Sequence, residues 1–73
     1  MSIARVTEIS ATSPESFEAA VKAGLDRACR TLRNVESAWV KDMNAMIDSN
    51  GNISAYKVNM AITFVLEEGE QPA

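Results

Sequence analysis

The chain of 73 residues contains no histidine and only one cysteine, Cys29. Without an imidazole there is no Ser-His or Cys-His nucleophile pair. A lone thiol can neither close an internal disulfide nor, with no nitrogen partner, hold zinc. Basic charge is also scarce: seven Lys and Arg against ten Asp and Glu leave a net charge of −3, and the cations are not clustered. That balance argues against nucleic acid or an anionic membrane surface as partner. Long apolar runs are missing too, none approaching the roughly 18 residues of a membrane span. The N-terminus lacks the basic-then-apolar order of a secretory signal, so the chain reads as cytoplasmic. A chain this short makes one domain, residues 1–73, and buries only about 60% of its unfolded surface. With no disulfide or zinc, association between copies is the remaining common reinforcement.

What is present is strongly patterned. From Ser13 to Val35, Phe17, Ala20, Val21, Gly24, Leu25, Ala28, Leu32 and Val35 recur at helical steps, and Glu18, Lys22, Asp26, Arg30 and Arg33 fill the other side. This spacing predicts one long amphipathic helix around which the rest is organised. Ser13 is the expected N-cap with Pro14 at the first helical position, Thr12 with Glu15 offers a competing capping box, and Asn34 is the expected end. Before the helix, Ile3 to Ser10 is rich in β-branched residues and predicts a strand with Val6 and Ile9 on opposite faces. After it, Ser37 to Ile47 reads as a second, two-sided strand. Asp48-Ser49-Asn50-Gly51-Asn52 then supplies the Asn-Gly pair of a tight hairpin.

The run from Ile53 to Leu66 alternates most cleanly: Tyr56, Val58, Met60, Ile62, Phe64 and Leu66 on one face, Lys57, Asn59, Ala61, Thr63 and Val65 on the other. Its apolar face is expected against the helix. Such a strand spans about 45 Å where a helix of some 20 residues covers about 30 Å, so it must curl or pack its overhang on another subunit. The acidic segment from Glu67 to Ala73, with 68–73 as its end, is expected to be a mobile tail.

Chemistry is sparse. Cys29, beside the apolar stripe, is read as a small core hydrophobe. No acid is flanked by apolar residues that would raise its pKa, so the chain is not expected to be an enzyme. Asp48, Asn50 and Asn52 superficially resemble the start of a calcium loop, but Gly51 precedes Asn52 and no Glu follows at the required distance, so the turn reading is preferred. Hard cations at subunit contacts would suit the abundant oxygen ligands; no metal ligands are assigned. Trp39 is read first as core or interface packing and second as a stacking surface for a ligand. Lys41 and Lys57 are ordinary outward cations unless something anionic lies across them.

The order strand, capped helix, long hairpin resembles the dodecins, small flavoproteins that assemble as hollow homododecamers. The resemblance covers nearly the whole chain. It is carried by Thr12-Ser13-Pro14-Glu15-Ser16-Phe17, Ala19-Ala20, Arg27-Ala28, Asn34-Val35, Tyr56-Lys57-Val58 and Phe64-Val65-Leu66-Glu67, whose spacing rather than any single motif makes the match. It implies an α+β fold of β-α-β-β order, a three-stranded antiparallel sheet wrapped around one long helix, assembled as a homododecamer that stores a small ligand. Flavin-binding dodecins stack the isoalloxazine ring of riboflavin or FMN on a tryptophan at the position of Ser37, and present a glutamine from the position of Lys57. Both differ here, which implies weak flavin binding or none. Trp39 lies two residues along on the same strand face, about 7 Å away. The ligand-binding candidates are therefore Ser37, Trp39 and Lys57. Some dodecin-like chains without the tryptophan are described as binding calcium, and around Met46-Ile47-Asp48-Ser49 the sequence resembles that branch. Other dodecins hold coenzyme A, an anion that Lys57 or Arg5 would suit. A shell with no small ligand is the remaining alternative.

Overall fold

The computed structural model describes residues 3–66. Strand β1 spans Ile3–Ser13, helix α1 Phe17–Thr31, strand β2 Val35–Ile47 and strand β3 Ile53–Leu66. The strands form one antiparallel sheet in the order β1-β3-β2, so the cleanly alternating last strand lies in the middle. Both neighbours pair along nearly its full length, from Ile3 opposite Leu66 to Ser13 opposite Tyr56 on β1, and from Val35 opposite Phe64 to Ile47 opposite Ile53 on β2.

The helix is shorter at both ends than its apolar spacing predicts. At the start, β3 is long enough to offer partners to Ala11, Thr12 and Ser13, which therefore continue β1 instead of turning. Ser13 is buried and its Oγ accepts from the Glu15 N–H, bending the chain at Pro14. The N-cap is Ser16, whose Oγ accepts from the Ala19 N–H at 2.9 Å. Thr12, opposite Lys57, takes no part in a capping box. At the other end Leu32 is already extended and donates its N–H to the Ala28 carbonyl, and Asn34 has a φ of 59°. Asn tolerates this left-handed conformation better than most residues, and the reversal lets Val35 enter β2. Val35 and Leu32 thus reach the core from outside the helix. The segment expected to be a mobile tail lies outside the described residues.

The core is thin. Val58, Met60 and Ile62 of β3 are completely buried under Ala20, Gly24 and Ala28 of α1, and each large side chain removed from water contributes about 1.5–3 kcal/mol. The helix touches the sheet through its smallest residues, whereas Phe17, Val21 and Leu25 pack at the margins. Phe17 meets Tyr56 edge-on, ring centres 5.0 Å apart. Cys29 is exposed, not core: the buried stripe steps from Gly24 to Ala28 and passes it by.

β3 outruns its cover, as its length requires. Fifteen helical residues cover about 22 Å, while fourteen in a strand span about 46 Å. The hairpin end projects past α1 with Met43, Met46, Ile47 and Ile53 exposed. Its turn is tightly built: Asp48 Oδ1 accepts from the N–H groups of Asn50 and Asn52, the Asp48 N–H donates to the Asn52 carbonyl, and Gly51 takes a φ of 84°. β2 shifts register at three places, Val35/Ser37, Val40/Asp42 and Met46/Ile47. Such bulges twist an edge strand and re-aim its side chains, which is how this strand shows apolar residues on both faces.

Candidate functional site on the outer sheet face

Because Val58, Met60 and Ile62 point to the helix, Lys57, Asn59, Ala61 and Thr63 point the other way. The pairing then lays out the outer face. Val6, Thr63 and Ser37 form one row, Glu8, Ala61 and Trp39 the next, Ser10, Asn59 and Asp42 the third, and Thr12, Lys57 and Asn44 the fourth. Ser37 and Trp39 are thus neighbours on one face, as their spacing predicts. Lys57 shares that face but not their location: it lies four residues of β3 from the Trp39 row, about 13 Å, and six from the Ser37 row, about 20 Å. Within one protomer the three candidates form a pair and a separate cation.

Trp39 is 70% exposed, so it is not core within the protomer. Its neighbour Ala61 is buried although it faces outward. The strand flanking it on the other side carries Glu8, and the Val40/Asp42 bulge aims Lys41 across the sheet so that its Nζ sits 2.8 Å from Glu8 Oε2. An anionic group therefore does lie across Lys41. Glu8's hydrogen bond and charge hold the Lys41 ammonium above its ordinary pKa. The two edge strands are strapped together over the central one, beside a hollow of about 260 Å³ lined by Glu8, Ile9, Ser10, Lys41, Asp42 and Asn59. Sequence reasoning missed Glu8. Its place on the same strand face as Val6 and Ser10 follows from alternation, but its meeting with Lys41 depends on a bulge that no local pattern announces.

Among the described residues no three His, Cys, Asp or Glu side chains converge to hold a metal ion. Elsewhere, a groove of about 490 Å³ runs between α1 and β1.

The dodecin family model matches residues 3–67, nearly the whole chain. The chain belongs to the dodecin family. It is 39% identical over 61 residues to the dodecin of Thermus thermophilus, covering 84% of this chain and 87% of that one. To the calcium dodecin of Mycobacterium tuberculosis it is 29% identical over 70 residues, 96% and 97% of the two chains. The structure agrees: the dodecin of Streptomyces davaonensis superposes with a TM-score of 0.85 at 34% identity, covering 92% of this chain and 97% of that one. The calcium dodecin of M. tuberculosis, solved as a calcium-chelating antigen, superposes with a TM-score of 0.77 at 28% identity, covering 97% and 99%. Overall identity, 39% against 29%, thus does not draw the chain toward the calcium dodecin.

Proposed function

We propose that this dodecin-family chain is a non-catalytic, homododecameric binding or storage protein, with its small-ligand site on the outer sheet face at Ser37 and Trp39, and Lys57 reaching it from another copy. The observation that carries this reading is the 70% exposed indole of Trp39, held on a three-stranded sheet away from the helix. A large aromatic left in water on a rigid strand forfeits burial that a stacked ring or a second subunit would restore. The separation of Lys57 from Ser37 within a protomer fits a site completed between copies. Flavin is a poor match, because serine offers no stacking surface and an ammonium only donates. The exposed free thiol of Cys29 fits a reducing compartment, and a cytoplasmic location is proposed on that ground.

A calcium-binding role is the second reading, favoured by the likeness to a calcium dodecin. With no acidic cluster among the described residues of one protomer, calcium would draw oxygen ligands from more than one copy. Coenzyme A at Lys57 or Arg5, and a shell with no small ligand, are further outcomes.

Native mass spectrometry of the purified protein, followed by visible spectra before and after adding riboflavin, tests the reading. The expected mass is about 95 kDa, twelve copies of a 7.9 kDa chain, with little yellow colour retained. A monomer at micromolar concentration would overturn both assembly and storage.

A further inference from the structure

We propose that the projecting hairpin tip of one copy seats in the α1–β1 groove of the next, with Asp48 of the tip paired to Arg27 of the groove. The contact rests on the homo-oligomeric reading above and specifies one interface within it.

Two surfaces of the protomer are incomplete in complementary ways. The groove, about 490 Å³, is mostly apolar, lined by Ile9 and Ala11 on β1, by Ala23 and Ala28 on α1 and by Leu32 beyond the helix. Arg27, exposed, is its only charged lining residue among those described. The tip is apolar as well, with the opposite charge. Met46, Ile47 and Ile53 are 43%, 59% and 49% exposed, with Ile47 and Ile53 opposite each other across the hairpin. Between Met46 and Ile53 the only charged residue is Asp48. The turn fixes that carboxylate through Oδ1, which accepts two backbone N–H groups, and leaves Oδ2 open to a cation among the described residues.

An exposed apolar tip with one anion therefore matches an apolar groove carrying one cation. Seating the tip would bury apolar surface on both partners and neutralise both charges in a partly desolvated place, where an ion pair counts for more than it does in open water. The contact uses two different patches, so it is heterologous, and repeating it around a rotation axis closes a ring. The tip is the overhang that α1 leaves uncovered, which gives the unequal lengths of strand and helix a purpose.

The test is the concentration at which the protein half-assembles, read by mass photometry or sedimentation, for wild type, Arg27→Gln, Asp48→Asn, the double variant and Ile47→Ser. The amide introduced by Asp48→Asn retains an acceptor for the turn, and glutamine is a good helix former; circular dichroism verifies that each variant keeps the wild-type fold. Each single charge variant is expected to raise the half-assembly concentration about tenfold, with the double variant no worse than either single one, because the two groups act as a pair. Ile47→Ser is expected to raise it by at least as much. Unchanged values in the single variants, or charge effects that multiply to about a hundredfold in the double, would overturn the contact while leaving the assembly standing. A wild type that never assembles would overturn both.

Discussion

Gly24 of the helix and Met60 of the central strand are so close that a Cβ built on Gly24 would stand 2.6 Å from Met60 Cε, and 3.1 Å from Ala11 Cβ. Met60 is fully buried, so its methyl has little room to withdraw. Gly24→Ala gains about 1 kcal/mol of helix propensity but incurs about 1–3 kcal/mol of overpacking. The variant is expected to melt several degrees below wild type, and Gly24→Val lower still. A melting point above wild type would show that α1 can rise off the sheet at no cost.

Phe64, on the helix-facing side of β3 opposite Val35 and Arg5, is half-buried within the protomer. A carboxylate there has Arg5 across the strand pair, which offsets part of its desolvation, but it forfeits the burial of the ring, about 1.5–3 kcal/mol. Phe64→Asp is expected to lose either cooperative melting or the assembled mass. Normal values of both would mean that this part of the inner face is open to water.

The hairpin depends on Asp48 as an acceptor, not as a charge. Asp48→Ala removes two N–H···O bonds at 2.9 and 3.0 Å and is expected to cost about 1 kcal/mol in urea unfolding, whereas Asp48→Asn should lie within about half of that from wild type. Equal losses in the two variants would show that the charge itself contributes, in the turn or through the contact with Arg27.

The strap between Lys41 and Glu8 sets a pH dependence of definite sign. The folded-state pKa of Lys41 is raised, chiefly by its hydrogen bond to Glu8. Its contribution to stability is thus fully present below the unfolded lysine value and lost as pH rises through the folded value. The stability difference between wild type and Lys41→Gln, followed by denaturant unfolding from neutral pH to about pH 12, should be constant at first and shrink above about pH 10. Because both side chains are exposed, high salt should shrink it as well. A difference that grows with pH would contradict the pairing.

Flavin recognition gives the sharpest contrast. A stacked aromatic contributes about 0.5–1.5 kcal/mol beyond its burial, and the lost burial of a ring face adds about 1–3 kcal/mol, so Ser37 alone forfeits a tenfold factor or more. Lys57 compounds the loss, since an ammonium cannot reproduce an amide's paired donor and acceptor. Riboflavin or FMN is expected to bind at least tenfold more weakly than to a flavin-binding dodecin, or not at all. Fluorescence titration of wild type, Ser37→Trp, Lys57→Gln and the double variant checks this, with the double variant gaining most. Tight binding by wild type that Ser37→Trp does not improve would point to Trp39 as the platform.

Local pattern was enough for much of the architecture. The alternation from Tyr56 to Leu66 determined which side of β3 meets the helix, and Asn50-Gly51 determined the hairpin, because each depends on residues adjacent in the chain. The ends of the helix were decided by tertiary pairing: β3 offers Tyr56 to Ser13, and a strand partner outweighs a cap worth about 1 kcal/mol. The stripe through Ala20, Gly24 and Ala28 was legible in the spacing, but the width of its burial was not: Leu25, four residues before Cys29, is only half-buried, and the thiol beyond it faces water. Ser37 and Trp39 share a face by simple alternation, but the distance of Lys57 from them, the exposure of Trp39 and the meeting of Glu8 with Lys41 depend on strand order and bulges. These are contacts between residues far apart in sequence. Their geometry is set by how three strands register against one another, which no window of the chain contains.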